Sequence, residues 1–131
     1  MKFDDICRKE DSIYLRCVQT KHRNNFDYIE EFLGFASGYV FRYAGRPTGV
    51  HLDRCGHWVA TDLKTGLQIG GWGAMCYKTR TGLMNRMMED CDLIVKAFSE
   101  HADVVKEAED IFSDFVHRKI GKDVDITKGL E

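Results

Sequence analysis

Residues 56–72 read Gly-His-Trp-Val-Ala-Thr-Asp-Leu-Lys-Thr-Gly-Leu-Gln-Ile-Gly-Gly-Trp. Trp58, Val59 and Thr61 are good strand formers, and Leu67 and Ile69 alternate with Gln68 and Gly70. Between the two runs, Asp62-Leu63-Lys64-Thr65-Gly66 supplies turn chemistry, with Gly66 able to take the positive φ of a bulged hairpin loop. The stretch therefore predicts two short strands joined by a tight turn. A hairpin of this size is not stable alone and must pack on more strands or a helix.

The helix it needs follows. Leu83, Met84, Met87, Met88, Cys91, Ile94, Val95 and Phe98 recur at three and four, with Thr79 or Thr81 as a cap. A second stripe, Val104, Val105, Ala108, Ile111, Phe112, Phe115 and Val116, ends near Gly121. Ser99-Glu100-His101 interrupts the pattern, so two helices are expected instead of one bent helix, with Ser99 capping the second. Upstream, Ile13, Leu15 and Cys17 alternate as in a strand. Phe26, Ile29, Phe32 and Leu33 fall at helical spacing, with Asn24 or Asn25 as N-cap and Gly34 as stop. Gly38–Ala44 is rich in aromatic and β-branched residues and reads as a strand that Gly45-Arg46-Pro47-Thr48-Gly49 breaks. The expected fold is α+β: a small antiparallel sheet of three to five strands, packed on one short helix and a C-terminal pair of helices. Residues 1–121 form a single domain, and the polar segment 122–131 is expected to fray.

At 131 residues the chain is long enough to bury one core without staples. Its five cysteines, Cys7, Cys17, Cys55, Cys76 and Cys91, are odd in number and irregularly spaced, which argues for free thiols in a reducing compartment. No apolar run approaches the length needed to span a bilayer, so no membrane partner and a cytoplasmic location are expected.

Formal net charge is −2, but the charge is segregated. Residues 38–88 carry seven basic residues against two acidic ones, whereas residues 89–114 carry nine acidic against two basic. Such asymmetry speaks to partners and not to fold. Arg42, Arg46, Lys64, Lys78 and Arg80, interleaved with Tyr43 and Trp72, have the composition of a sheet on which bases stack and phosphates meet cations. Glu100, Asp103, Glu107 and Asp110 offer an acidic helical surface for a basic partner. The element order over residues 38–98, strands running into a helix through Lys78-Thr79-Arg80-Thr81, resembles the arm-type DNA-binding domains of tyrosine recombinases. It is similar as well to the strand–strand–strand–helix half of double-stranded-RNA-binding domains, whose lysine-rich helix start this chain lacks. No residue roles follow from either likeness.

Chemistry is sparse. Cys55-Gly56-His57, with His51 upstream, supplies one metal-like cluster without a second ligand pair, and a Cys–His pair without a third orienting group. Gly70-Gly71-Trp72-Gly73 fits no phosphate-binding pattern. No catalytic residue, metal or cofactor is therefore expected. Composition points to a non-catalytic interaction protein that binds nucleic acid or a nucleic-acid-handling protein of complementary charge, such as an accessory or inhibitory factor encoded by a mobile element. The alternative is a small enzyme or ligand-binding domain centred on Cys55, His57 and residues 70–73.

Overall fold

The structure, a computed structural model, describes residues 6–70 and 77–131. Among these, four strands form one antiparallel sheet in sequence order: β1 (Arg8–Arg23), β2 (Phe26–Tyr43), β3 (Arg46–Leu52) and β4 (Trp58–Asp62). Two helices follow, α1 (Arg80–Glu100) and α2 (Ala102–Lys119). The expected α+β class with an antiparallel sheet and a C-terminal helix pair is what the chain adopts.

The short helix expected over Phe26–Leu33 is instead the first half of β2. Asn24 and Asn25 do not cap it. Both take positive φ, 50° and 67°, and form a two-residue turn between β1 and β2. That backbone matches the right-handed twist of the flanking strands, and asparagine is among the few residues that tolerate it. Ala44 and Gly45, at φ 53° and 76°, repeat the device between β2 and β3. The break expected at residues 45–49 is thus confined to that turn, and Pro47 lies inside β3. Because Tyr43 and Arg46 close the turn, Pro47 opposite Arg42 occupies a position that owes β2 no hydrogen bond.

Each face of the sheet has its own core. On the outer face, Phe41, Tyr43, Val50 and Ala60 pack against Leu83, Met84, Met87 and Ile94 of α1. Thr79 caps α1 by accepting from the Gly82 N–H at 3.0 Å, and the buried Tyr43 hydroxyl donates to the Met87 carbonyl at 2.6 Å. Ser99 lies within α1 and caps nothing. The helices are separated by His101 alone, which serves as N-cap of α2 without a side-chain bond.

The inner face is concave. Ile13 of β1 reaches across β2 to Gly49 of β3, where a Cβ would stand 3.1 Å from the Ile13 Cδ1. A bulge between Glu10 and Ile13 adds the bend in β1. The turn predicted at residues 62–66 completes the curl. Gly66 has φ 68° and donates to the Asp62 carbonyl at 2.8 Å, and its own carbonyl accepts from Arg16 N–H at 2.8 Å, so the turn after β4 reaches the free edge of β1. The second predicted strand of that hairpin reduces to a bridge between Gln68 and Thr61, with Ile69 N–H donating to the Ala60 carbonyl. Trp72 and residues 71–73 lie outside the described residues.

Residues 122–131, expected to fray, make specific contacts with the sheet. Leu130 packs on Ile13, Val40 and Leu63 at one end of the inner face, and its carbonyl accepts from Arg42 at 2.7 Å. Asp125 holds the turn by accepting from the Thr127 hydroxyl and N–H and from the Gly129 N–H. These short-range bonds are available to a polar segment whatever its apolar content, which is why a hydrophobic pattern does not reveal them.

Gly66 leaves no room for a side chain, because a Cβ would run into the Phe112 ring of α2 at a positive φ. Gly66→Ala is expected to destabilise the domain by about 2–4 kcal/mol through overpacking and left-handed strain together, read as a lower denaturation midpoint.

Candidate interaction site

β2 pairs with β3 only over Gly38–Tyr43, while β1 and β2 pair with each other out to Arg23 and Phe26. The far half of this hairpin is therefore a two-stranded arm that runs roughly 25 Å past its last backbone link to the domain, the Arg16–Gly66 bond. Among the described residues, every side-chain hydrogen bond and ion pair of residues 18–31 stays within the hairpin. Arg16 pairs with Glu31 at 2.6 Å, Lys21 with Glu30 at 2.5 Å, and His22 with Asp27. Period-two alternation places Val18, Ile29 and Phe35 on one face of the ribbon, and Phe26 and Tyr28 on the other. All are large apolar or aromatic groups left 41–75% exposed: Val18 56%, Phe26 75%, Tyr28 41%, Ile29 70% and Phe35 58%. Sequence reasoning missed this element. Its signal was Asn24-Asn25 between two alternating runs, which is hairpin chemistry.

The basic residues singled out in the sequence are dispersed. Arg46 is held inside the domain: its Nε and Nη2 bond the two Asp62 oxygens at 2.7 and 3.0 Å, and Nη2 also reaches Glu109 of α2 at 3.0 Å. Its guanidinium carbon lies 4.5 Å from the centroid of Phe98. Lys64 pairs with Glu109 at 3.5 Å and with Glu131 at 2.9 Å. Arg42 donates to the Leu130 and Gly45 carbonyls, and Arg80 stacks 4.4 Å over Tyr39. Lys78 is exposed. Tyr43 is buried in the outer-face core, where loss of solvent pushes its phenol well above the usual range. Of the acidic set, Glu100 and Asp110 pair with Lys96 and Lys106 one turn away, and Asp103 and Glu107 are exposed on α2. Two carboxylates outside that set join the two charge blocks: Glu109, through Arg46 and Lys64, and Asp90, through Arg86 at 2.8 Å.

The Cys55–His57 segment is the β3–β4 loop. Asp53 organises it by accepting from the His57 N–H at 2.9 Å and the Cys55 N–H at 2.8 Å, and these donors hold its carboxyl below the usual range. The His57 ring faces Asp53 at 4.0 Å, and no hydrogen bond joins it to the exposed Cys55 thiol. His51 is 3% exposed and belongs to the inner face. Its Nδ1 donates to the Leu52 carbonyl at 3.1 Å, and its Nε2 shares a hydrogen bond with the Thr61 hydroxyl at 2.8 Å. Among the described residues no group of three His, Cys, Asp or Glu side chains is placed to hold a metal ion, and no helix is long and apolar enough to cross a membrane.

Compared with protein-family models, curated proteins and solved structures, the chain matches none.

Two outcomes follow from the buried groups. Arg46→Ala strands Asp62, which is 1% exposed, beside Glu109, and is expected to cost about 3–5 kcal/mol of stability in denaturant titration. His51 has its pKa lowered by burial from the ordinary 6.5. Below that value the unfolded chain takes up a proton that the folded one refuses, so stability is full above it and falls as pH drops toward the folded value. Melting curves from about pH 7 to about pH 5 should show a shallower decline for His51→Asn than for the wild type.

Proposed function

We propose that this chain is a non-catalytic interaction protein, an accessory or inhibitory factor, that engages a protein partner through the β1–β2 arm. The observation that carries this reading is the set of five exposed apolar side chains on an arm whose charges neutralise one another. Val18 and Ile29 are diagonal neighbours on one face and Phe26 and Tyr28 lie together on the other, and clustered exposed apolar groups of this kind favour an interaction site. Fully burying one such side chain contributes about 1.5–3 kcal/mol. Beyond Arg16 and Gly38 the arm's outer backbone edges pair with no other strand among the described residues, so a partner strand can add to either.

Charge supports a protein over a nucleic acid. Counterion release requires cations free to meet phosphates. Arg46 and Lys64 already meet Asp62, Glu109 and Glu131, and Lys21 and Arg16 meet Glu30 and Glu31. Stacking requires rings on an open sheet face, whereas Tyr43 is buried under α1 and Tyr39 lies between Trp58 and Arg80.

The test is quantitative co-purification of the tagged chain from its native host, wild type against Val18→Lys with Ile29→Lys. Both positions are exposed, so melting should be unchanged within about 0.5 kcal/mol. The expected result is a partner recovered with the wild type and lost with the double variant. Equal recovery with both would remove the arm from the interface. A gel shift on short DNA or RNA at low salt, abolished by Arg42→Glu with Arg80→Glu, would return the reading to nucleic acid.

A further inference from the structure

The curled sheet is closed at one end and open at the other. Leu63 and Leu130 fill the inner face beside Ile13 and Val40. Toward His51 the same face opens into a cavity of about 580 Å³ between the root of the arm and the β3–β4 end. Gly34 of β2 lies in its wall, where a Cβ would stand 2.6 Å from the Cys17 sulfur. The volume lies within the range of small-molecule sites, roughly 300–1,000 Å³, and the mouth of a curled or closed sheet is a place where such sites form.

The lining sets the ligand class. Leu15, Phe32 and Val59 give apolar walls. His51 lines the cavity with its ring nitrogens at the Leu52 carbonyl and the Thr61 hydroxyl, and burial disfavours its charged form. Two arginines line the cavity: Arg16, which is paired with Glu31 at 2.6 Å, and Arg54, whose guanidinium lies 5.7 Å from the Phe32 centroid and meets no carboxylate among the described residues. The neighbouring Asp53 is turned to the loop N–H groups of Cys55 and His57. We propose that this cavity binds a small aromatic anion, its rings against Leu15, Phe32 and Val59 and its acidic group at Arg54. Such a ligand touches the arm root and the β3–β4 end at once. Phe35 borders both the cavity and the arm's exposed apolar set, whereas Val18, Phe26, Tyr28 and Ile29 lie outside the cavity.

The probes are anilinonaphthalene sulfonate and its uncharged parent phenylnaphthylamine, titrated by fluorescence into the full chain. Both are expected to saturate at one per chain. Arg54→Glu should weaken the sulfonate about tenfold, the loss of one charge-assisted contact, and leave the uncharged probe unchanged. Bound probe should slow alkylation of Cys17, which lines the cavity, and not of Cys55 in the exposed loop, as read by peptide mass. Val18→Lys with Ile29→Lys should retain probe binding. Loss of binding in that double variant, equal sulfonate affinity in Arg54→Glu, or unprotected Cys17 would each overturn the proposal.

Discussion

The Arg46 guanidinium is the point on which the domain turns. It is a planar fork with donors in a fixed array, and three of its contacts are bonds to carboxylates on different elements. Asp62 ends β4, Glu109 lies on α2, and Phe98 beneath the plane belongs to α1. A buried ion pair gains little over apolar packing of the same shape, but it accepts only one arrangement of its partners. Here that arrangement brings β3, β4 and both helices together. Lys64 adds the second positive charge that Glu109 needs, and Glu131 from the C-terminal segment joins through it.

The consequence runs outward through hydrogen bonds. Asp62, held by Arg46, uses its second oxygen to accept from Thr65 N–H at 3.0 Å, which sets the turn. The turn presents Gly66, whose missing side chain lets Phe112 of α2 pack against it and whose carbonyl takes Arg16 N–H. That last bond ties the edge of β1 to the end of β4 and gives the sheet its curl. The open cavity and the direction in which the arm leaves the domain both depend on it. The loop after β4 is thus the clasp between the helical layer and the arm.

Local chemistry was legible in the sequence, and distant partners were not. Gly66, the Thr79 cap and the strand around Tyr39–Tyr43 follow from residues within a few positions of one another, and the chain adopts all three. Arg46 and Lys64 have the look of a binding face in the sequence because their acidic partner on α2, Glu109, is dozens of residues away and belongs to another charge block. The helix expected over Phe26–Leu33 failed for a different reason. In an arm with no buried face nothing enforces period-two patterning, so Phe26, Ile29, Phe32 and Leu33 can fall at helical spacing by accident while lying on both faces of a ribbon. The cavity had no motif at all. Its walls come from all four strands and the turn at Gly66, which meet only in the folded sheet.

An arm of this kind also constrains what covers it. A two-stranded hairpin in water is marginal by itself, and beyond the Arg16–Gly66 bond this one is held by its turn and its cross-strand ion pairs. Surface ion pairs contribute about 0–1 kcal/mol each, so they set register more than they add stability. Val18 and Ile29 point to one side, Phe26 and Tyr28 to the other. A flat partner stacked on either face would leave half of the apolar surface in water. If the arm is the docking element, its complement is therefore a groove that receives the ribbon from both sides. Such a groove would order the arm as it binds, and the cost of that ordering is smallest where the root is already fixed by Gly66.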